Sequence, residues 1–198
     1  MKIVVGCEFS GKVRDACIAL GHDAISCDCL PSETPGPHYQ GDILRLLAER
    51  RFDLGIFHPP CTFLCNSGVQ WLAPGGQLDA ARHKQMMAAC DFFAALYWAK
   101  VPRVAVENPV MHKHARDYLA SAWKVPAQSM SFQPWEHGEP EVKRTCLWLR
   151  GLPDLRPSNV VAGRVARVHR ASPGPNRWRE RSRTLVGVAN AMAAQWTF

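Results

Sequence analysis

Short apolar runs alternate along most of the chain with longer segments in which apolar residues recur every three or four positions. The run 2–5, which is rich in β-branched residues, predicts a buried strand. The segments 78–100 and 183–196 instead have the spacing of helices that turn one face to a core. Those faces consist of Met86, Cys90, Phe93 and Tyr97 in the first segment and of Val186, Ala189, Met192 and Ala193 in the second.

Strands and helices are predicted in alternation through the whole sequence. The stretch 30–40, rich in proline and glycine, is predicted to be a loop. Alternation without an internal repeat is typical of a single α/β domain, here 1–198, with a mainly parallel sheet and helices on both faces. The predicted strands are 2–5, 23–27, 52–57, 103–106, 127–132 and 145–149, and the predicted helices are about 12–20, 43–51, 78–100, 111–123 and 183–196.

Polar and reactive side chains follow several of the predicted strands. Gly11 lies in the turn after the first strand, and Asp28 ends the second. Cys61 comes just after the third strand, which Pro60 helps to terminate, and Glu107 ends the fourth. Because ligands of open α/β sheets bind at the carboxyl ends of the strands, these residues are expected to share one site.

The pair Cys61 and Glu107 points to a particular chemistry. A thiolate can add to carbon 6 of a pyrimidine ring while a carboxylic acid protonates the ring nitrogen. Carbon 5, otherwise unreactive, then becomes a nucleophile. The sequence therefore predicts an enzyme that modifies a pyrimidine through a covalent cysteine adduct.

The charge of the chain favours a polyanionic partner. The formal net charge is +7, and the segment 150–183 holds nine arginines, no lysine and only two acidic residues. The planar guanidinium group suits phosphate recognition, so this segment is a candidate phosphate-binding loop. The alternative is a solvated, poorly ordered connection, because proline and glycine are also frequent there.

The eight cysteines are expected to be free thiols in a cytoplasmic chain. Their spacings, and those of the histidines, lack the paired patterns of zinc sites, so no metal is expected. The sequence begins without the features of a secretion signal and has no apolar run of membrane-spanning length, which predicts a cytoplasmic location.

The order of these motifs resembles that of the DNA cytosine-5 methyltransferase family over nearly the whole chain. Phe9-Ser10-Gly11 is similar to the glycine-containing motif with which that family binds S-adenosylmethionine. Pro60-Cys61-Thr62 resembles its nucleophile motif, and Val106-Glu107-Asn108 resembles the motif that holds the target base. Each short match is weak alone, but their common order is specific. The resemblance implies a Rossmann-like, S-adenosylmethionine-dependent methyltransferase fold.

The resemblance also implies a role for each matching residue. Cys61 and Glu107 would be the catalytic nucleophile and acid. S-adenosylmethionine would be bound by Phe9, Gly11, Asp28, Asp42 and Pro60, with Asp28 on the ribose and Asp42 on the adenine. Asn108, Lys143 and Arg144 would bind the substrate.

Several positions depart from the family pattern. Val13 replaces a second glycine, and Thr62 replaces the glutamine after the nucleophile. Lys143 and Thr145 replace the two arginines of a later motif, so that Lys143 or Arg144 would have to take over the contact with the pyrimidine carbonyl. The segment 150–183 is also too short for the family's target-recognition domain.

The substrate is therefore left with alternatives. The arginines favour cytosine in DNA, whose target base must leave the stack while the backbone is held. A free cytosine nucleotide is the second possibility, and a catalytically idle nucleic-acid-binding relative is the third. His58, His112 and His114 are interpreted as loop or helix-surface residues.

Overall fold

A seven-stranded sheet forms the centre of the computed structural model, which describes residues 1–170, 174 and 177–198. The strand order is β3-β2-β1-β4-β5-β7-β6. The strands are β1 Lys2–Gly6, β2 Asp23–Asp28, β3 His38–Gln40, β4 Leu54–Phe57, β5 Arg103–Pro109, β6 Met130–Phe132 and β7 Thr145–Arg150.

The five strands from β3 to β5 in this order pair in parallel, and β7 runs antiparallel to both of its neighbours. The prediction of a mainly parallel α/β sheet is confirmed. As a result, the carboxyl ends of β1, β2, β4 and β5 lie along the same edge of the sheet.

Helices cover both faces of the sheet, as predicted. Ile3 and Val5 of β1 pack with α1 and α7 on one face, whereas Val4 packs with α2, α3 and α4 on the other. This alternation follows from the two-residue period of a strand. The helices are α1 Lys12–Ala19, α2 Ile43–Glu49, α3 Ala80–Tyr97, α4 Lys113–Trp123, α5 Arg167–Arg170, α6 Arg177–Ser182 and α7 Val186–Trp196.

The largest differences from the predicted elements lie at strand ends. The loop 30–40 contains the short strand β3, which pairs with β2 at the edge of the sheet. Strand β5 continues to Pro109, past the predicted end at Val106, because β7 supplies a hydrogen-bonding partner along its whole length. Glu107 is therefore inside a strand, opposite Leu147, and does not follow it.

The C-terminal part also differs. The arginine-rich segment contains α5 and α6, which the sequence pattern did not predict, and its residues 171–173, 175 and 176 lie outside the described part of the chain. The last helix begins at Val186, whose side chain is exposed, so the prediction of Val186 on the apolar face is wrong. The predicted core residues of α3 and the remaining three of α7 are buried.

All eight cysteines are free thiols. No described helix combines the length and apolar character that crossing a bilayer requires. Among the described residues, no three or more His, Cys, Asp or Glu side chains form a group that could hold a metal ion.

A fully buried arginine ties the loop between β2 and β3 to the first helix. The Arg14 guanidinium group is 2.7 Å from the Asp15 carboxylate and donates to the Thr34 hydroxyl at 2.7 Å. It also donates to the hydroxyls of Ser26 and Ser32 at 3.1 Å each. Arg14 thus holds the loop beside Asp28 against the first helix through buried hydrogen bonds.

We predict that Arg14→Ala lowers the free energy of unfolding by about 3 kcal/mol, because several buried acceptors lose their donor at once. Arg14→Lys keeps the charge but not the planar fork and should recover only part of this loss. Urea denaturation measures the effect, with Arg45→Ala on the surface of α2 as the control that leaves the midpoint almost unchanged. A midpoint for Arg14→Ala equal to that of the control would contradict this account.

Candidate active site

Two neighbouring strands bring Cys61 and Glu107 to the same edge. Strand β4 stops at Phe57 because Pro59 and Pro60 lack the amide donors that a ladder needs. The chain then turns tightly at Cys61, whose carbonyl accepts the amides of Leu64 and Cys65 at 3.0 Å each. Strand β5, paired with β4, carries Glu107 alongside this turn.

A buried hydrogen bond joins the two strand ends. The Asn108 side chain is fully buried and donates from Nδ2 to the Pro59 carbonyl at 3.2 Å. Since Pro59 lies two residues before Cys61, this bond fixes the position of the cysteine turn relative to β5. The Asn108 Oδ1 atom is buried and has no hydrogen-bond partner among the described residues.

Glu107 lies between two basic side chains. Its Oε2 is 3.3 Å from Nδ1 of His58, and the exposed fractions of the two side chains are 17% and 8%. Burial raises the pKa of Glu107, but the hydrogen bond to His58 and the nearby Lys143 charge lower it, and the net pKa is below its ordinary value. The carboxyl group is therefore ionised in the free protein near neutral pH.

The thiol of Cys61 is protonated in the free protein. A hydrogen bond with Cys65, burial and the negative charge of Glu107 all raise its pKa, and Lys143 lowers it by less. Cys65 shows the opposite behaviour: its bond with Cys61 and its contact with the Ser67 hydroxyl, 3.0 Å from the sulfur, lower its pKa to about 5. Cys61 therefore needs a bound cation or substrate before it can act as a thiolate.

A small cavity of about 20 Å³ adjoins Glu107. Its walls come from the end of β4, the β6–β7 region and the start of α7. Thr145 lies in this wall, where the resembling family has an arginine, and Lys143 lies beside it. The lining residues are His58, Glu107, Phe132, Pro134, Lys143, Thr145, Ser182, Thr184, Leu185, Val188 and Met192.

A second, larger and more basic cavity of about 400 Å³ shares Lys143, Thr184 and Leu185 with the first. Five of its lining side chains are cationic and two are acidic, so its net charge favours anions. The cations are Lys12, Lys143, Arg167, Arg181 and Arg183, and the acids are Glu139 and Glu180.

Two aspartates predicted to bind a donor lie at the neighbouring strand ends. Asp28 Oδ1 accepts the amide of Leu30 at 2.9 Å, and burial raises the pKa of Asp28. Asp42 Oδ1 accepts the amide of Leu44 at 2.8 Å and thereby caps α2. A carboxylate has about four acceptor positions, so both retain capacity for the hydroxyl and amino donors of a nucleoside. The acceptors at this edge fit S-adenosylmethionine.

The remaining donor-site candidates contact the arginine-rich segment. The ring of Phe9 packs edge-on against Trp178 of α6, at 6.2 Å between centroids, and the Arg179 guanidinium group lies 5.4 Å from the Phe9 ring. Gly11 has a φ of +71°, and a side chain there would collide with Thr34 and Arg14. Pro60 is exposed beside Cys61.

The arginines of the segment 150–183 have different surroundings. Arg150 donates to the carbonyls of Tyr97, Ala99 and Val101 and thus caps the end of α3. This arginine therefore stabilises the fold and is not available to phosphate. Arg183 makes a bidentate ion pair with Glu33, and both bonds are 2.8 Å long. It therefore lies beside the loop between β2 and β3, next to the proposed donor site.

The structure thus brings Cys61, Glu107, Asn108 and Lys143 together. Arg144 lies elsewhere: its guanidinium group is exposed and donates to Ser131 at 3.3 Å. His58, which the sequence pattern indicated to be a loop residue, does lie in the loop after β4, and the structure places its ring beside Glu107, a contact that the sequence did not predict.

The comparisons with known proteins address the fold. No protein-family model and no curated protein matches the chain. A prophage-encoded protein of E. coli, assigned as a DNA modification methyltransferase, is structurally similar with a TM-score of 0.50 and 13% identity; the match covers 87% of this chain and 55% of that one.

The methyltransferase EhMeth of Entamoeba histolytica is also similar, with a TM-score of 0.49 and 13% identity; the match covers 81% of this chain and 57% of that one. The Dnmt2 methyltransferase of S. pombe matches with a TM-score of 0.39 and 11% identity, over 88% of this chain and 56% of that one. The chain spans little more than half the length of each of these proteins. At such low identity the comparison with the E. coli protein establishes the fold alone: the chain has the Rossmann-like α/β fold of methyltransferases.

Proposed function

We propose that this chain transfers a methyl group from S-adenosylmethionine to carbon 5 of cytosine in DNA through a covalent cysteine adduct. The observation that carries the proposal is the placement of Cys61, in the turn after β4, beside Glu107 of the neighbouring strand β5, with the bond from Asn108 to Pro59 holding the two segments together. A nucleophile and an acid held at a fixed separation are what addition to a pyrimidine ring requires.

The residues have distinct roles in this proposal. The Cys61 sulfur bonds to carbon 6 while Glu107 directs a proton to the ring nitrogen, which leaves carbon 5 electron-rich. Lys143, whose positive charge lowers the pKa of both Cys61 and Glu107, stabilises the thiolate and contacts the pyrimidine carbonyl. Loss of the carbon-5 proton and release of Cys61 complete the cycle.

S-adenosylmethionine, when bound, supplies an electrophilic methyl group on a positively charged sulfur. Asp28 and Asp42 would hold its ribose and adenine, and Phe9, Gly11 and Pro60 would line the rest of the site. A positive charge near Cys61 also favours the thiolate, because the neighbouring Glu107 and Cys65 otherwise disfavour it.

The two adjoining cavities support a nucleotide substrate. The base would lie against Glu107, where the small cavity has to widen to admit it, and the basic cavity that shares Lys143 with it would take the phosphate and its neighbours along a strand. Basic side chains that neutralise backbone phosphates hold the strand while the base leaves the stack. Of the arginine-rich segment, Arg181 would make this contact, whereas Arg167 and Arg183 would first have to leave their ion pairs with Glu141 and Glu33.

A free cytosine nucleotide is the second candidate substrate. The observation in its favour is the size of the basic cavity, which at about 400 Å³ is comparable with small-molecule sites. A few cations around one phosphate group suffice for such a ligand.

We predict that Cys61→Ala lowers methyl transfer from tritiated S-adenosylmethionine at least 100-fold, because the covalent route then has no nucleophile. Cys90→Ala, which removes a buried thiol of α3 away from the site, is the control and should retain most of the activity. If Cys61→Ala keeps a tenth of the wild-type rate, the covalent mechanism is wrong.

The same labelled donor, offered with duplex DNA, single-stranded DNA and deoxycytidine monophosphate in parallel, decides between the substrates. We predict label in DNA and binding that weakens steeply with salt. Arg181→Glu should lower DNA affinity about tenfold for all sequences and reduce the salt slope by about 1. Arg156→Glu, in the same segment but outside the lining of the basic cavity, is the matched control.

Label that appears only in the mononucleotide, together with salt-insensitive DNA binding, would reverse the order of the two substrates. In that case Arg181→Glu should raise the KM for the mononucleotide, whereas Arg156→Glu should leave it unchanged.

A further inference from the structure

His58 directly follows β4, and its ring lies next to Glu107. Its backbone amide donates to the Gly6 carbonyl at 3.0 Å, which fixes the residue at the end of β1, between β1 and β5. Its ring lies in the wall of the cavity beside Glu107, and Nε2 is buried without a hydrogen-bond partner among the described residues. A buried polar atom of this kind calls for an explanation beyond packing.

The ring makes one directed contact with the proposed catalytic machinery. Nδ1 is 3.3 Å from Oε2 of Glu107, so that Nδ1–H donates to the carboxylate and leaves Oε1 for the cavity. A histidine that hydrogen-bonds a carboxylate can both fix its orientation and share a proton with it.

We propose that His58 is a positioning residue that orients the Glu107 carboxyl group and shares with it the proton that the target ring nitrogen receives. This inference rests on the proposed function. It adds a second member to the acid side of the reaction, which the sequence assigned to Glu107 alone.

The proton balance is as follows for each turnover. In the resting pair His58 is an imidazolium, protonated on both ring nitrogens, and its Nδ1 proton points to Glu107 Oε2. While the Cys61 sulfur bonds to carbon 6, that proton passes through the carboxyl group to the ring nitrogen, which leaves a neutral imidazole and a carboxylate. Carbon 5 then loses its own proton to solvent, the electron pair of that bond restores the ring double bond, the Cys61–carbon bond breaks with its electrons on sulfur, and the ring nitrogen returns its proton to the pair.

The surroundings allow the pair to keep this proton. Glu8, a buried carboxyl group in the turn before α1, lies close enough to His58 for its pKa to be lowered by the imidazole, although burial raises that pKa overall. Lys143, Cys61 and Cys146 face Glu107 from the other elements. The pair thus lies between the Glu8 carboxyl group on the His58 side and the Lys143 ammonium group on the Glu107 side.

The direct experiment compares the pH dependence of kcat in three proteins. With donor and substrate bound, the positive charge of the donor favours the Cys61 thiolate, so wild-type kcat should rise with pH as Cys61 ionises and fall at higher pH as the pair loses its proton. His58→Ala should lower kcat about 100-fold with a change in KM of less than about threefold. His58→Asn, whose amide can still donate to Oε2 but cannot titrate, should recover about tenfold and lose the fall at high pH.

His137→Asn is the control, because it removes a buried histidine that does not line the cavity. It should keep the wild-type shape of the pH profile. An unchanged fall at high pH in His58→Asn would overturn the shared-proton role, and full activity in His58→Ala would overturn the positioning role.

A second readout does not require turnover. Carboxyl ¹³C NMR of Glu107 should give a lowered pKa in the wild type and a higher pKa in His58→Ala, because the lowering hydrogen bond is lost while burial remains. An identical pKa in both proteins would show that the pair does not form. If the wild-type protein shows the NMR shift but transfers no methyl group, the proposed function and the proton transfer are wrong. The pairing of His58 with Glu107 would still stand.

Discussion

The hydrogen bond from the Asn108 side chain to the Pro59 carbonyl is the contact on which the geometry of the site depends. It joins the segment that follows the end of β4 to the neighbouring strand β5, which continues further. Strand β4 stops because Pro59 and Pro60 cannot donate to a ladder, and β5 continues because β7 pairs with it as far as Pro109. Because β5 extends further than β4, the turn at Cys61 lies directly beside Glu107. The distance between the two residues is therefore set by neighbouring strands.

The arginine-rich segment joins the two halves of this site. Trp178 and Arg179 lie on Phe9, Arg183 binds Glu33, and the Lys143 ammonium group donates to the Arg181 carbonyl at 3.0 Å. Helix α6 therefore contacts both the proposed donor site and the wall of the cavity beside Glu107. In the proposed function, a strand held by these arginines would lie next to the methyl donor without a separate recognition domain.

The sequence predicted those parts of the fold that depend on local patterns. The apolar runs located β1, β2, β4 and β7, and the stripe on α3 was correctly assigned to the core. Strand β3 was missed because His38-Tyr39-Gln40 has no apolar alternation, and its pairing with β2 is a tertiary effect. The end of β5 was placed too early for the same reason, since β7 determines it.

The candidate site was predictable to a similar extent. Asp28, which ends a predicted strand, and Cys61, which follows the break at Pro59-Pro60, could be identified as candidates from the sequence. The pairing of His58 with Glu107 was not, because the two residues are 49 positions apart and only the register of β4 and β5 brings them together. The choice of Lys143 over Arg144 likewise required the structure, since neighbouring side chains before a strand point in different directions.

The measurement that tests the central claim most directly is a trapping experiment with DNA that contains 5-fluorocytosine, in the presence of S-adenosylmethionine. Because fluorine at carbon 5 cannot be lost as the proton is, the covalent intermediate should persist and peptide mass spectrometry should find it on Cys61. The account predicts an adduct on Cys61 that forms only with the donor present. An adduct on Cys65, whose thiol has the lower pKa, or no adduct in a protein that transfers methyl groups to cytosine, would contradict it.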